Sequence, residues 1–414
     1  MEIKSDVFLF DSYSILLNKK EIDFNYKYKE YKFTEKILLP KEVPADVNQT
    51  LIKIVLENLH LILGISYFKM YCPKKIAISY SLSKAQADFW NTVYTKGLGE
   101  FFYKNKIDFR GLINFSSFNS KANIQLRQLD EAKKNRSLVG IGGGKDSIVA
   151  VELLKEQKKD ITGFILDTQT NFPNIQIDVS KTMGINYFIV KRQLDRQLFK
   201  LEEQKLVYKG HIPISAIYAF IALLLAVVYD YSTIITANEK SANFGNVNYL
   251  GEKINHQWSK SEEFEKLFQE YVKKYITPNI NYFSNLRSYS EMEIAKMFSS
   301  YKKYFPVFSS CNRNFTIKGN AIQRRWCGKC AKCAFVFTIL AANLSKEEVV
   351  GIFDKNLLDD PELIPMYQDL IGKGKMKPFD CVGTFEESVQ AFKMIKSKGE
   401  FNNKVVMKTI EKLI

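Results

Sequence analysis

Histidine is scarce in this sequence, three among 414 residues, so imidazole chemistry has few places to reside. No segment repeats at a period of roughly 20 to 50 residues, which excludes solenoids and propellers. The opening residues, MEIKSDVFLFDSYS, meet acidic Asp6 before any long apolar run and so lack the basic-then-apolar order of an export signal. The longest apolar stretch, Ile212 to Val228, carries Pro213 and Ser215 and falls short of the ~20 residues that span a bilayer. It predicts a buried helix, no membrane insertion and a cytoplasmic protein. Cysteine is sparse as well, six in all, but three of the six are packed at CxxCxxC spacing, which in a reducing compartment points to metal ligation rather than disulfides.

Apolar residues make up 46% of the chain and charged residues 25%, a composition that builds a globular core and not a disordered tail. The length suits two or three domains. Sixty Lys+Arg against 45 Asp+Glu leave a formal charge of +15, a field that attracts nucleotides, RNA or membrane phosphates without choosing among them. No RNA-recognition motif is visible, and the aromatics are spread along the whole chain as core residues are, so the expected partner is a small molecule rather than nucleic acid.

Residues 1–130 read as an α+β module, with β-like runs at Val7 to Phe10 and Ile76 to Ser79 and helical patterns near Val47 to Leu63 and Ala85 to Phe102. From Ser137 the pattern changes. SLVG is a short apolar strand, IGGG a loop, and KDSIVAVELLKEQ a helix; ITGFILD (161–167), NYFIVKR (186–192) and STIITAN (232–238) are further strands, and AIYAFIALLLAVVYD a buried helix. This alternation predicts an α/β fold over residues 131–295, a parallel sheet with ligands beyond the carboxyl ends of its strands. Residues 296–414 read as a cysteine cluster followed by a small helical region.

Gly142, Gly143 and Gly144 let the backbone bring successive N–H groups against an anion, and the following helix points its positive end at the same spot. Lys145 adds a charge, Ser147 a hydroxyl, and Asp146 a carboxylate suited to Mg²⁺ on phosphates. A Walker loop is excluded, because Asp146 and not Ser or Thr follows Lys145. The dinucleotide fingerprint fails too, since counting from Gly140 its third glycine falls on Lys145. GGGKDS resembles instead the SGGxDS signature of the PP-loop ATP pyrophosphatases, with Gly142 where that family usually has Ser. The resemblance implies ATP cleaved between its α and β phosphates to adenylate a substrate. It also implies a nucleotide lying near Asp167, Thr168 and Gln169 at the end of the second strand.

Cys311, Cys327, Cys330 and Cys333 form C-x15-C-x2-C-x2-C, four thiolates able to close a tetrahedral structural zinc site. An iron–sulfur cluster uses the same four ligands. A similar cluster occurs in the PP-loop enzymes that make 7-cyano-7-deazaguanine, with a shorter first spacer.

Several dispersed segments resemble one branch of the PP-loop enzymes, the MurL family of UDP-N-acetylmuramoyl-L-alanyl-L-glutamate epimerases. They are GIGGGKDS (140–147), GHIPISAI (210–217), NEKSANFGN (238–246), NHQWSKS (255–261), SCNRNF (310–315), WCGKCAKCAFVF (326–337) and KPFDCVG (377–383). The resemblance implies an isomerase of peptidoglycan precursor synthesis that uses ATP and Mg²⁺ to invert the terminal glutamate of a UDP-muramoyl-dipeptide. It assigns no acid or base residue. In those segments His211, His256, Lys240, Glu239 and Lys260 are the candidates for proton transfer, and Arg313, Arg324 and Arg325 for gripping phosphate or carboxylate. Cys381 reads as a small buried side chain, or as a proton carrier if its neighbours lower its pKa. Two alternatives stand beside this reading: an amidating ligase like the 7-cyano-7-deazaguanine synthases, and a tRNA-modifying PP-loop enzyme.

Overall fold

A computed structural model describes residues 6–16, 20–117, 134–168, 175–315 and 324–414; Gln169 lies outside them. Eleven strands are present among those residues: β1 (Val7–Leu16), β2 (Glu21–Tyr28), β3 (Tyr31–Leu38), β4 (Lys75–Ile78), β5 (Ser137–Gly140), β6 (Ile161–Asp167), β7 (Tyr187–Gln193), β8 (Thr233–Thr236), β9 (Val247–Tyr249), β10 (Glu252–Ile254) and β11 (Asn281–Ser284). Nine join in one sheet ordered β11-β8-β5-β6-β7-β3-β2-β1-β4, and β9 and β10 form a separate hairpin.

Five neighbours, β11 through β7, run parallel, as the strand–helix alternation predicts. Chain order reverses between β5 and β8, and helix N-termini and loops gather there at the strands' carboxyl ends. Successive residues point to opposite faces, so each strand feeds two cores. Leu138, Phe164 and Ile234 join the core that holds the N-terminal helices, while Val139, Ile165 and Ile235 join the one that holds the C-terminal helices.

The N-terminal strands extend this same sheet. β3 pairs antiparallel with β7, Ile37 opposite Arg192, and continues through β2 and β1 to β4. Arg192 is fully buried and bonds Glu35 on β3 (2.6 Å) and Ser66 on the helix Gln49–Phe68 (2.8 Å), which pins the seam.

The expected buried helix is Ile214–Tyr229, apolar on every side because it lies between the sheet and the helix Gln49–Phe68. That second helix is longer and, by length and composition, apolar enough to cross a membrane, with 83% of its apolar window buried. The helical pattern expected near Val47 to Leu63 falls on it, and Lys53, Glu57, Asn58 and His60 interrupt its apolar run. His60 packs on Phe10 and Tyr26 and meets the Asn25 carbonyl at 3.0 Å, a core histidine.

Candidate active site

β5 ends at Gly140, and the chain turns through Gly142–Gly144 into the helix Lys145–Glu156. Gly143 has φ +84°, which a side chain would strain, and a Cβ there would come within 2.9 Å of Ile175. A Cβ on Gly142 would meet nothing within 4 Å, so the loop faces open space at that residue. Ser147 turns its hydroxyl onto the Gly144 carbonyl (3.0 Å), which leaves the N–H groups of the first helical turn as the anion-facing donors. The Ser310 side chain lies against Gly144, and its Oγ is buried without a hydrogen-bond partner.

Lys145 does not face the loop's open side. Its side chain is 1% exposed, and Nζ contacts both Asp146 and Glu291. Glu291 opens the helix Glu291–Ser299 after β11, is 1% exposed, and keeps Oε1 without a partner. Burial pushes the Glu291 carboxyl up to about 7, against the pull of Lys145 and with the push of Asp146. Asp146 is also disfavoured by burial, but Lys145, Lys332 and Lys260 hold it below the usual carboxylate range. Glu239, after β8, is buried beside this group, and its charge reaches both Lys260 and Glu291.

A second cluster adjoins the first through Lys260. Its Nζ donates to the Cys381 thiol at 3.3 Å, while the Lys332 ammonium contacts the Cys381 carbonyl. His256 hydrogen-bonds the same thiol and, through Nδ1, the Glu100 carboxylate. His211 lies 3.5 Å from that carboxylate and packs tilted against His256, ring centroids 4.5 Å apart and planes at 47°; Lys104 binds Glu100 from outside at 2.5 Å.

Burial raises the Cys381 thiol, but Lys260, the His256 bond and Lys332 outweigh it and bring it down to about 6. Burial lowers His256, yet the Cys381 and Glu100 bonds raise it to about 9. Burial and the neighbouring His256 push His211 down to about 3. Near neutral pH the cluster is therefore a thiolate–imidazolium pair backed by a carboxylate and a neutral imidazole.

Cys311, Cys327, Cys330 and Cys333 place all four sulfurs within 4.8 Å of one another, with Cys330 and Cys327 at 3.4 and 3.6 Å from Cys333. Backbone N–H groups of Cys327, Lys329 and Cys333 point at the sulfurs of Cys311, Cys327 and Cys330, each at 3.4 Å, which favours thiolates. This donor set suits a tetrahedral metal. From Cys311 the chain runs back to Ser309, whose N–H donates to the Gly143 carbonyl at 3.0 Å. From Cys330 and Cys333 the helix Ala331–Ala341 aims Lys332 at the Cys381 loop. One quartet thus braces both clusters.

Of the residues singled out in the sequence, the fold brings His211, His256, Lys260 and Glu239 to one rim with Gly142 to Ser147. Asp167 stands there too, at the carboxyl end of β6. Lys240 is exposed and outside the cluster, its backbone N–H tied to the Tyr289 carbonyl (3.0 Å). Arg325 is engaged by Val307 and Asp178. Cys381, weighed first as a packing residue, is instead ringed by charge. Glu100, Glu291, Lys332 and Ser310 were missed. Each is a single polar residue whose neighbours across the site come mostly from distant parts of the chain.

Two family profiles match the chain, the MurL N-terminal domain over residues 2–285 and the MurL C-terminal domain over residues 307–414. A Micromonospora sp. protein named UDP-N-acetyl-alpha-D-muramoyl-L-alanyl-L-glutamate epimerase is 35% identical over 413 residues, covering 98% of this chain and 90% of its own. Proteins of the same name from Xanthomonas oryzae pv. oryzae and Salinispora tropica are 38% and 35% identical. They cover 87% and 95% of this chain and 78% and 85% of their own.

Proposed function

The chain belongs to the MurL family, and from that premise we propose that it inverts the terminal L-glutamate of UDP-MurNAc-L-Ala-L-Glu to D-glutamate at the expense of ATP. The reaction serves peptidoglycan precursor synthesis. Both substrates are soluble nucleotides, which suits a cytoplasmic enzyme, and the +15 charge suits their phosphates.

One observation carries the reading: the glycine loop and the thiol–imidazole cluster share a rim, with Lys260 acting on Asp146 at one and Cys381 at the other. The two halves match the two problems of the chemistry. An α-proton beside an ionised carboxylate is very weakly acidic. ATP supplies the remedy by turning the carboxylate into an acyl-adenylate with loss of pyrophosphate. The chain's own residues then grip, orient and move protons.

The backbone N–H groups from Gly143 to Ser147 hold phosphoryl oxygens at the helix start. Ser310, with its unpartnered hydroxyl beside Gly144, stands in for the Ser that Gly142 replaces. Asp146 and the unpartnered Oε1 of Glu291 offer oxygens to Mg²⁺, a hard cation that also screens phosphate charge. The four thiolates would hold a structural Zn²⁺, tetrahedral sulfur ligation being its preferred setting. Lys260, between the two clusters, neutralises charge that develops on the activated carboxyl oxygen.

Incubation with UDP-MurNAc-L-Ala-L-Glu, ATP and Mg²⁺ is expected to release AMP and yield D-glutamate on chiral analysis of the hydrolysate. No AMP together with only L-glutamate ends this reading. AMP release that requires ammonia marks an amidating ligase instead.

A further inference from the structure

A cysteine buried for packing alone sits among apolar side chains and keeps its proton. Cys381 is placed otherwise. Lys260 donates to its sulfur at 3.3 Å, and the His256 imidazole interacts with the same thiol. Lys332, on the helix Ala331–Ala341, fixes the backbone of the same residue, and on its own loop stand Lys377 and Asp380. Behind His256 are Glu100 and His211. One ammonium therefore donates to the sulfur, the His256 imidazole and the Lys332 and Lys377 charges act on it as well, and the thiol–imidazole pair adjoins the nucleotide cradle across a single lysine. Structural packing requires none of this charge, whereas a base that must be anionic at neutral pH requires it.

We propose that the Cys381 thiolate is the base that removes the α-proton of the activated glutamate from one face, held ionised by His256 and Lys260. The inference rests on the epimerase reading above. In the step the Cα–H bond breaks, its electron pair passes into the activated carbonyl to give the enolate, and the proton forms an S–H bond on Cys381. A proton from water or a second acid then bonds to the opposite face of Cα, and the thiol loses its proton to water. One proton leaves and one returns, so nothing is oxidised or reduced. Glu100 is a positioning residue, since it touches His256 and not the sulfur.

The test uses the full-length protein in ²H₂O. Wild type, given ATP, Mg²⁺ and the UDP-muramoyl-dipeptide, is expected to exchange the glutamate α-proton for deuterium. Cys381→Ser and Cys381→Ala are expected to lose at least ~100-fold of that exchange and of the L-to-D conversion while AMP remains detectable. Iodoacetamide alkylation of the wild-type Cys381 peptide, followed by mass spectrometry, should rise with pH around a midpoint near 6. In His256→Asn the midpoint should move up by about one unit or more. Exchange at the wild-type rate in either Cys381 variant overturns the proposal, as does a wild-type alkylation midpoint at the ordinary thiol value of ~8.5. A wild type that forms no AMP and exchanges nothing refutes the epimerase reading instead, and the alkylation midpoint still decides the state of the sulfur.

Discussion

Asp146 carries one negative charge among three ammonium groups, Lys145, Lys260 and Lys332, and Lys145 divides its attention between it and Glu291. Asp146→Ala leaves Lys145 paired with Glu291, so the fold should hold, with a thermal midpoint close to wild type. AMP formation should fall by about 100- to 1000-fold, the usual effect of removing one transition-state charge partner. Wild-type AMP release by that variant would show the carboxylate idle. At this scale the sequence announced only what is contiguous or closely spaced. GGGKDS can be read because six consecutive residues carry the cradle. Cys327, Cys330 and Cys333 can be read because two intervening residues between thiols is a spacing that metal sites use. Glu100 and Glu291 cannot, since each looks like one more acid in the first turn of a helix and gains its role from partners 156 and 146 residues away.

Among elements, the seam between β3 and β7 is where the N-terminal strands attach to the parallel sheet, and Arg192 and Glu35 are fully buried across it. Arg192→Met removes the cation and strands a carboxylate that burial already pushes up. It should cost about 3–5 kcal/mol, read as a drop in urea midpoint. Arg192→Met combined with Glu35→Leu should regain most of that loss, because both desolvated charges are gone. A single variant as stable as wild type would show the seam held by its apolar neighbours alone. Of these strands the sequence reading names only the runs at Val7 to Phe10 and Ile76 to Ser79, and the two between them go unnamed. EIDFNYKY alternates in burial along its whole length and YKFTEKIL does so from Phe33 onward, a period-two signal present in the letters but obscured by Lys, Glu and Asn on the half-buried face. That they would join β7 was not legible, because pairing between residues some 150 apart leaves no local trace.

For the molecule as a whole, the cysteine quartet ties the wall of the glycine loop to the loop of Cys381. Removing the metal with a strong chelator, or replacing Cys333 by Ser, should empty the site by elemental analysis. Because folding and binding energies are linked, it should also lower the thermal midpoint by several degrees. AMP formation and α-proton exchange should decline together. Loss of exchange alone would mean the quartet supports only the Cys381 side. A metal-free protein with both activities intact would mean that it supports neither.

That shared brace has a bearing on how the protein fails. Were a quartet-bound ion to secure the thiol loop alone, a cell starved of it would be expected to make a chain that spends nucleotide without inverting anything. If an ion fills the quartet as proposed, both walls hang on one fastening, and its scarcity should silence consumption and product at once.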